Sequence, residues 1–148
     1  MSKVLDDIKS RAIKLNKHIV LPEGEDKRVV EAAAVSVKEG VARITLLGNP
    51  DEIKKNNPEI DLSGVNIIDP KTYEKTEEYA QLLTELRKAK GMTIELARET
   101  LAKDYTMYGA LMLKAGDVDG MVSGACHSTA NTLRPGLQVI KTAKGTPI

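Results

Sequence analysis

The sequence contains no tryptophan and no phenylalanine, and four tyrosines are its whole complement of large aromatic side chains. Platforms on which the bases of single-stranded nucleic acid stack are therefore nearly absent. An excess of charge of one sign is also lacking, because 22 basic and 21 acidic residues leave a formal net charge of +1. So small a charge provides no broad field for nucleic acids or acidic membranes. We therefore expect small-molecule partners, no nucleic acid and no membrane.

Cysteine occurs only once, as Cys126, which excludes a disulfide within the chain and fits a reducing cytoplasm. The N-terminus lacks a signal-peptide pattern, and no apolar run approaches the length of a membrane span. We therefore expect a cytoplasmic protein. Its 148 residues match one domain of ordinary size, which we place over the whole chain, 1–148.

Apolar residues alternate along the chain between strand and helix periodicity, a pattern typical of a parallel sheet covered by helices. We predict strands over 18–21, 44–47, 65–68 and 120–124, and helices over 1–15, 27–39, 51–56, 73–90, 94–102, 105–114 and 129–141. The predicted fold class is α/β, a parallel-sheet three-layer αβα domain. Ligands of such sheets bind at the carboxyl ends of the strands. The loops 22–26 and 123–129 follow strands and are therefore the predicted binding region.

The most informative segment, 116–135, joins a short apolar strand, a loop of small residues and a helix start that carries hydroxyls. Free N–H groups and the helix dipole favour an anion at such a start. Ser128, Thr129 and Thr132 offer hydroxyl donors, and Arg134 offers a charge-assisted, bidentate hydrogen bond to phosphate oxygens. The segment predicts a phosphate site. A plain loop that ends in a helix cap remains the alternative.

The position of Pro135 leaves two possibilities for the last helix. Pro135 lies in the first turn of a helix capped by Thr132, or it kinks a helix that begins earlier. We expect Arg134 in the first turn, where a cation opposes the helix dipole. A bound anion would balance that charge.

Other polar residues near this segment have simpler interpretations. Adjacent residues of an extended chain point to opposite sides, so we do not expect Cys126 and His127 to form a nucleophile and base pair. His127 is interpreted as a hydrogen-bonding residue that shapes the loop. Asp117 and Asp119 are interpreted as turn residues that precede a strand, rather than as a metal-binding pair.

The acidic run after the first predicted strand would repel phosphates directly. We therefore assign Glu23, Glu25 and Asp26 to capping and packing of the first crossover, and to the lining of a cleft. Asp26 is the predicted N-cap of the helix that follows. His18 is interpreted as a residue at the edge of a strand.

Four segments resemble the phosphate acetyl/butyryltransferase family: residues 19–29 (IVLPEGEDKRV), 44–50 (ITLLGNP), 87–93 (RKAKGMT) and 117–144. The resemblance covers nearly the whole chain. Its most specific part is the pattern VSGA-x-HSTA-x-T-x-RP, which lies in the last segment.

This resemblance implies a reversible transfer of an acetyl group from CoA to phosphate, with CoA thioester, phosphate and acetyl phosphate as substrates. It implies no metal and no bound prosthetic group. It also implies two α/β domains with the active site in the cleft between them, of which this chain is the first, and a homodimer at full length. Arg134 matches the family's arginine that binds CoA or the acyl phosphate, and is the expected catalytic residue here. Arg87 matches an arginine linked to CoA.

The chain departs from the family in length. Family members are about twice as long, and their catalytic aspartate, a neighbouring serine and a further arginine lie in a C-terminal half that this sequence lacks. The final residues, 145–148, resemble the middle of a polypeptide. We therefore expect an N-terminal portion with little or no activity of its own.

Two alternatives stay open on the sequence. One is a phosphate butyryltransferase, because the pocket that measures acyl length cannot be identified here. The other is a non-catalytic module that binds CoA or an acyl phosphate, related to the terminal domain of some malic enzymes. No G-x-G-x-x-G pattern opens the chain.

Overall fold

The structure is a computed structural model that describes residues 2–146, so part of the predicted chain end, 147–148, lies outside the described residues. Four parallel strands form one sheet in the order β3-β2-β1-β4. Their bounds are β1 His18–Leu21, β2 Arg43–Leu47, β3 Asn66–Ile68 and β4 Gly120–Met121. In the register of the sheet, Ile19 pairs with Ile44 on one side and with Gly120 on the other. The predicted α/β class with a parallel sheet is confirmed.

Seven α-helices connect and flank these strands in the described part of the chain. They are α1 Lys3–Leu15, α2 Lys27–Lys38, α3 Pro50–Asn56, α4 Thr76–Arg87, α5 Ile94–Lys103, α6 Tyr105–Ala115 and α7 Thr129–Pro135. The predicted caps Asp26, Thr93 and Asp104 each accept a backbone N–H from the first turn of their helix. Among residues 2–146, no helix combines the length and apolar character that crossing a bilayer requires.

Alternating side chains of the strands divide the core into two layers. On one face of the sheet, Leu21, Ile44 and Leu46 pack with buried residues of α2 and α3, namely Val30, Ala33 and Ile53. On the other face, Val20, Leu47 and Ile68 pack with buried residues of α4, α5 and α6, namely Tyr79, Ala80, Leu83, Ala97, Leu101, Met107, Tyr108, Ala110, Leu111 and Met112. The predicted three-layer arrangement is confirmed.

The predicted fourth helix and fourth strand are among the elements that are shorter than predicted. The helix predicted over 73–90 begins at Thr76 and ends at Arg87, and a 3-10 turn, Lys88–Lys90, continues it to Gly91. The strand predicted over 120–124 ends at Met121. The last ladder hydrogen bond of this strand runs from the N–H of Val122 to the carbonyl of Val20. The pairing stops there because the N–H of Gly124 donates to the side chain of Glu23 instead.

The turn after β1 contacts the end of β2 at the edge of the sheet where the candidate site lies. The N–H of Gly24 donates to the carbonyl of Leu47, at 3.2 Å. A Cβ built on Gly24 would lie 2.3 Å from that carbonyl oxygen, so only glycine fits there. This contact holds the turn after β1 against the end of β2 and places Glu23 at the carboxyl edge of the sheet.

Candidate functional site

Glu23 organises the loop that follows β4. Its side chain is only 1% exposed, and its carboxylate accepts three backbone N–H groups. Gly124 and Ala125 donate to Oε2 at 2.8 and 2.9 Å, and Cys126 donates to Oε1 at 3.1 Å. The loop therefore forms an anion-binding nest whose anion is a side chain of the same protein. These N–H groups are not free for phosphate.

His127 completes the environment of this carboxylate. Its Nδ1 lies 2.8 Å from Glu23 Oε1. Burial acts to raise the pKa of Glu23, but hydrogen bonds from Ala125, Cys126, His127 and Gly124 outweigh it and lower the pKa to about 2. An ionised carboxylate only accepts, so Nδ1 is the donor and carries a proton. The hydrogen bond to Glu23 in turn raises the pKa of His127.

Arg28, at the start of α2, also contacts the loop that follows β4. Its guanidinium pairs with Asp26, with Nη2 2.6 Å from Oδ2, and it also donates to the carbonyl of Ala125 at 2.8 Å. Both the N–H and the carbonyl of Ala125 are thus bound by residues that follow β1. The loop after β4 is fixed to the loop after β1, its neighbour in the sheet.

Cys126 and His127 lie closer together than predicted. The expectation that their side chains point to opposite sides is wrong, because the chain turns here and Sγ lies 3.6 Å from Nδ1. The thiol is nevertheless unsuited to nucleophilic attack. Burial and the nearby carboxylates of Glu25 and Glu23 raise the pKa of Cys126 to about 12.

Arg134 lines an open groove of about 550 Å³ at this edge of the sheet. The other walls come from Glu25 after β1, from residues 103–106, where α5 ends and α6 begins, and from His127 and Asn131. Arg134 is exposed, and among the described residues it forms no ion pair with a carboxylate. The groove therefore presents an unpaired guanidinium to solvent. Glu25 lines it as predicted.

The expected position of Arg134 in a first helical turn is wrong. Ser128, not Thr132, is the N-cap, so α7 begins at Thr129 and Arg134 lies in its last turn. A cation is favourable at that end of a helix, and its charge requires no bound anion as compensation. Pro135 lacks an N–H and ends α7, after which a π-helical turn, Gly136–Ile140, continues the chain.

The three hydroxyls proposed for phosphate are placed differently. Ser128 accepts the N–H of Asn131 at 3.2 Å, which leaves its own hydroxyl hydrogen available. Thr132 donates its hydroxyl to the carbonyl of Ser128 at 3.0 Å, and Thr129 is exposed. The helix-cap alternative therefore describes Ser128 correctly, and the phosphate roles of these hydroxyls stay predictions.

Arg87 is separated from this groove in the described structure. It is the last residue of α4, it is half-buried, and it is not among the residues that line the groove with Arg134. Its CoA-binding role stays a prediction.

The remaining candidates have structural roles. Asp117 accepts hydrogen bonds from Lys75 and from the hydroxyl of Tyr79, at 2.8 and 2.6 Å. Asp119 accepts the N–H of His18, whose ring lies 2.7 Å from the hydroxyl of Thr45. The interpretation of both aspartates as turn residues fits these contacts, and so does the edge position of His18.

Sequence reasoning did not identify the role of Glu23. Its charge predicted repulsion of phosphates, whereas the structure uses it as the internal anion of the loop. The available signal lay in the positions of two segments. An acidic residue lies two positions after one strand, and a run of small residues with free N–H groups follows another. The neighbouring positions of the two strands in the sheet supply the missing step.

The comparisons with known proteins agree with each other. The family model described as "Phosphate acetyl/butaryl transferase" matches residues 3–148. A phosphate acetyltransferase from Acetivibrio thermocellus is 55% identical over 144 residues, which cover 97% of this chain and 43% of that protein. The EutD phosphotransacetylase from Staphylococcus aureus superposes with a TM-score of 0.89 at 37% identity and covers 98% of this chain and 44% of its own. A phosphotransacetylase from Streptococcus pyogenes superposes with a TM-score of 0.91 at 37% identity. The match covers 100% of this chain and 46% of that protein's chain.

The chain thus spans less than half the length of these relatives. Their fold is shared over nearly all of the residues described here.

Proposed function

Since the chain belongs to the phosphate acetyl/butaryl transferase family, we propose that it forms the phosphate- and CoA-binding side of a phosphate acetyltransferase site. In this reaction acetyl-CoA and phosphate are converted reversibly to acetyl phosphate and CoA. The single observation that carries this proposal is the exposed Arg134 in an open groove at the carboxyl edge of the sheet. Ligands of parallel sheets bind at that edge.

The reaction has three requirements. The CoA thiol must lose its proton, the acyl carbonyl must be polarised as its oxygen gains charge, and the phosphate must be held. Arg134 meets the third requirement through a bidentate guanidinium and contributes to the second. Ser128 adds a hydroxyl donor from the cap of α7, and Thr129 and Thr132 are the further proposed contacts. Arg87 is the proposed second contact for CoA.

The carboxylate of Glu23, which lies beside this groove, is unsuited to act as a base for the CoA thiol. Glu23 is buried and its oxygens already accept four hydrogen bonds. We propose that the base is the family's catalytic aspartate, supplied by polypeptide outside these 148 residues. The chain alone then binds substrate but transfers acetyl groups slowly or not at all.

The surface beside Arg134 supports a cleft completed by further polypeptide. Val122, Leu133 and Leu137 are 64%, 57% and 51% exposed, and they lie on β4's continuation, α7 and the π-helical turn. Exposed apolar side chains that form a contiguous patch are typical of a surface that another domain or subunit covers. The proposed cover is the second domain of the full-length protein, which is further proposed to be a homodimer.

Binding and transfer assays test this proposal separately. We expect the 148-residue chain to bind acetyl phosphate in a titration followed by NMR, with shifts at residues 127–134. Arg134→Ala should abolish those shifts, whereas Arg11→Ala, on the exposed face of α1, should leave them unchanged. Equal binding by wild type and Arg134→Ala would refute the assignment of the groove.

The transfer assay measures formation of CoA from acetyl-CoA and phosphate. We expect turnover by the full-length protein and little or none by the 148-residue chain. Rapid turnover by the chain alone would show that the base lies within it. Comparison of acetyl-CoA with butyryl-CoA in the full-length protein measures the acyl preference, for which the acetyltransferase names of the relatives favour acetyl.

A further inference from the structure

One cluster near the groove is not used by the proposed reaction. Cys126 Sγ lies 3.6 Å from Glu23 Oε1 and 3.6 Å from His127 Nδ1, and Nδ1 lies 2.8 Å from the same Oε1. A thiol, an imidazole and a carboxylate thus converge within 4.8 Å of one another. Cys126 is exposed and the side chain of His127 is 37% exposed, so solvent reaches two of the three ligands, and the buried Glu23 Oε1 lies directly behind them.

Two carboxylates lie beside the thiol of this cluster, which is an environment that favours a cation. The thiol lies 3.5 Å from Glu25 Oε1 as well as 3.6 Å from Glu23 Oε1, so two carboxylates face one sulfur. The guanidinium of Arg28 is already paired with Asp26. A divalent cation would compensate both Glu23 and a thiolate at Cys126, and the three ligands would then leave a complex of zero net charge.

We propose that Glu23, Cys126 and His127 form a binding site for a borderline divalent cation of the Zn²⁺ class, with a fourth position open to water or an anion. At tetrahedral angles, bond lengths for thiolate, imidazole and carboxylate ligands of Zn²⁺ place the donor atoms about 3.3–3.6 Å apart. Both distances that involve Sγ already have this value. The Nδ1 to Oε1 distance of 2.8 Å must widen by about 0.5 Å, as an ion replaces the proton between them.

The surroundings of the cluster are those that a metal site requires. A ligating carboxylate is normally held by outer hydrogen bonds, and Glu23 has three from the backbone of the loop. A ligating histidine normally donates its other ring N–H to a carboxylate, a backbone carbonyl or water. Here Nε2 of His127 lies 3.6 Å from Glu25 Oε1, which places that acceptor within a small side-chain rotation.

The protons balance in this binding step. The thiol of Cys126 releases its proton to solvent and becomes the thiolate ligand. The imidazole of His127 gives up the proton on Nδ1 and binds one on Nε2, next to Glu25. The site does not depend on the proposed function, since binding of the ion involves neither CoA nor acetyl phosphate.

The test uses the 148-residue chain, stripped of metal and titrated with Co²⁺. The chain has a single cysteine, so a thiolate-to-cobalt charge-transfer band reports Cys126 alone. We expect one Co²⁺ per chain with that band, and loss of the band when one equivalent of Zn²⁺ is added. Cys126→Ser and His127→Gln should each weaken Zn²⁺ binding at least tenfold, measured by competition with a chromogenic chelator.

The chain offers a matched control in its other histidine. His18→Gln removes the ring bonded to Thr45 and should leave Zn²⁺ affinity unchanged within about twofold. Circular dichroism checks that each variant is folded. Absence of the band in the wild type, or unchanged affinity in both Cys126→Ser and His127→Gln, would overturn the proposal. Transferase activity is not a readout here, so failure of this site and failure of the proposed function are separable.

Discussion

The carboxylate of Glu23 accepts a hydrogen bond from His127 at 2.8 Å, although 104 positions separate the two residues in the sequence. The bond joins the loops that follow β1 and β4, which are neighbours in the sheet. Together with the three backbone N–H groups of residues 124–126, this bond holds the loop around the buried carboxylate of Glu23. The groove that contains Arg134 depends on this loop for its shape.

Glu23→Gln should therefore destabilise the domain by about 1.5–3 kcal/mol, since charge-assisted hydrogen bonds are replaced by weaker ones and an amide N–H₂ faces donors. Urea unfolding of the metal-free chain measures this free energy. Glu25→Gln is the control, because that side chain is 57% exposed and its change should stay within about 0.5 kcal/mol. Equal, small effects of the two variants would contradict the central role of Glu23.

The environment of Asp117 predicts that the stability of the protein depends on pH. Burial acts to raise its pKa, but hydrogen bonds from Lys75 and Tyr79 outweigh burial and lower the pKa below the ordinary value of 3.8. A lowered pKa in the folded state contributes stability above pH 3.8, and that contribution is lost as the pH falls through the folded value. Asp117→Asn should cost about 1–2 kcal/mol at neutral pH, and the difference from wild type should shrink below pH 3.8.

The control for this prediction is Glu85→Gln. Glu85 pairs with Lys88, but their side chains are 69% and 67% exposed, and such surface pairs contribute little. Denaturant unfolding of this variant should show only a small loss of stability, within about 0.5 kcal/mol. A difference between wild type and Asp117→Asn that stays constant down to acid pH would contradict the linkage.

Substitution of Ser123 should increase the stability of the protein, whereas the substitutions above should lower it. Its Oγ is buried and has no hydrogen-bond partner among the residues that the structure describes. A buried hydroxyl without a partner is destabilising, so Ser123→Ala should raise the free energy of unfolding by about 1 kcal/mol and Tm by about 3 °C. Ser128→Ala removes the cap of α7 and should lower stability by about 1 kcal/mol. A loss of stability in both variants would mean that Ser123 has a partner.

The fold could be predicted from the sequence wherever the signal was local. The strand at residues 44–47 and the caps Asp26, Thr93 and Asp104 are set by apolar periodicity and by side chains within a few positions. The end of β4 could not be predicted in this way. It is decided by Glu23, whose carboxylate takes N–H groups that would otherwise extend the strand.

The candidate site was predicted in its location but not in its details. Sheet topology alone placed the loops after β1 and β4 at the binding edge, and Arg134 lines a groove there. The turn in which Arg134 lies was predicted wrongly, because the sequence left open whether the helix is capped by Thr132 or begins earlier, and in the structure it begins after Ser128. The proximity of Cys126 and His127 was missed because the bend of the loop comes from Glu23, about 100 residues away.

Arg134→Ala, made in the longer two-domain protein proposed above, tests the guanidinium at the level of the reaction. Loss of a charged hydrogen bond to the acyl phosphate or CoA should lower kcat/KM by about 10- to 100-fold. Arg134→Lys should recover only part of this loss, because an ammonium keeps the charge but cannot form the bidentate contact. Arg11→Ala is the matched control on the exposed face of α1 and should retain full activity. If Arg134→Ala retained full kcat/KM, the groove would not be the phosphate site, because an unpaired cation within it would then contribute nothing to binding of an anionic substrate.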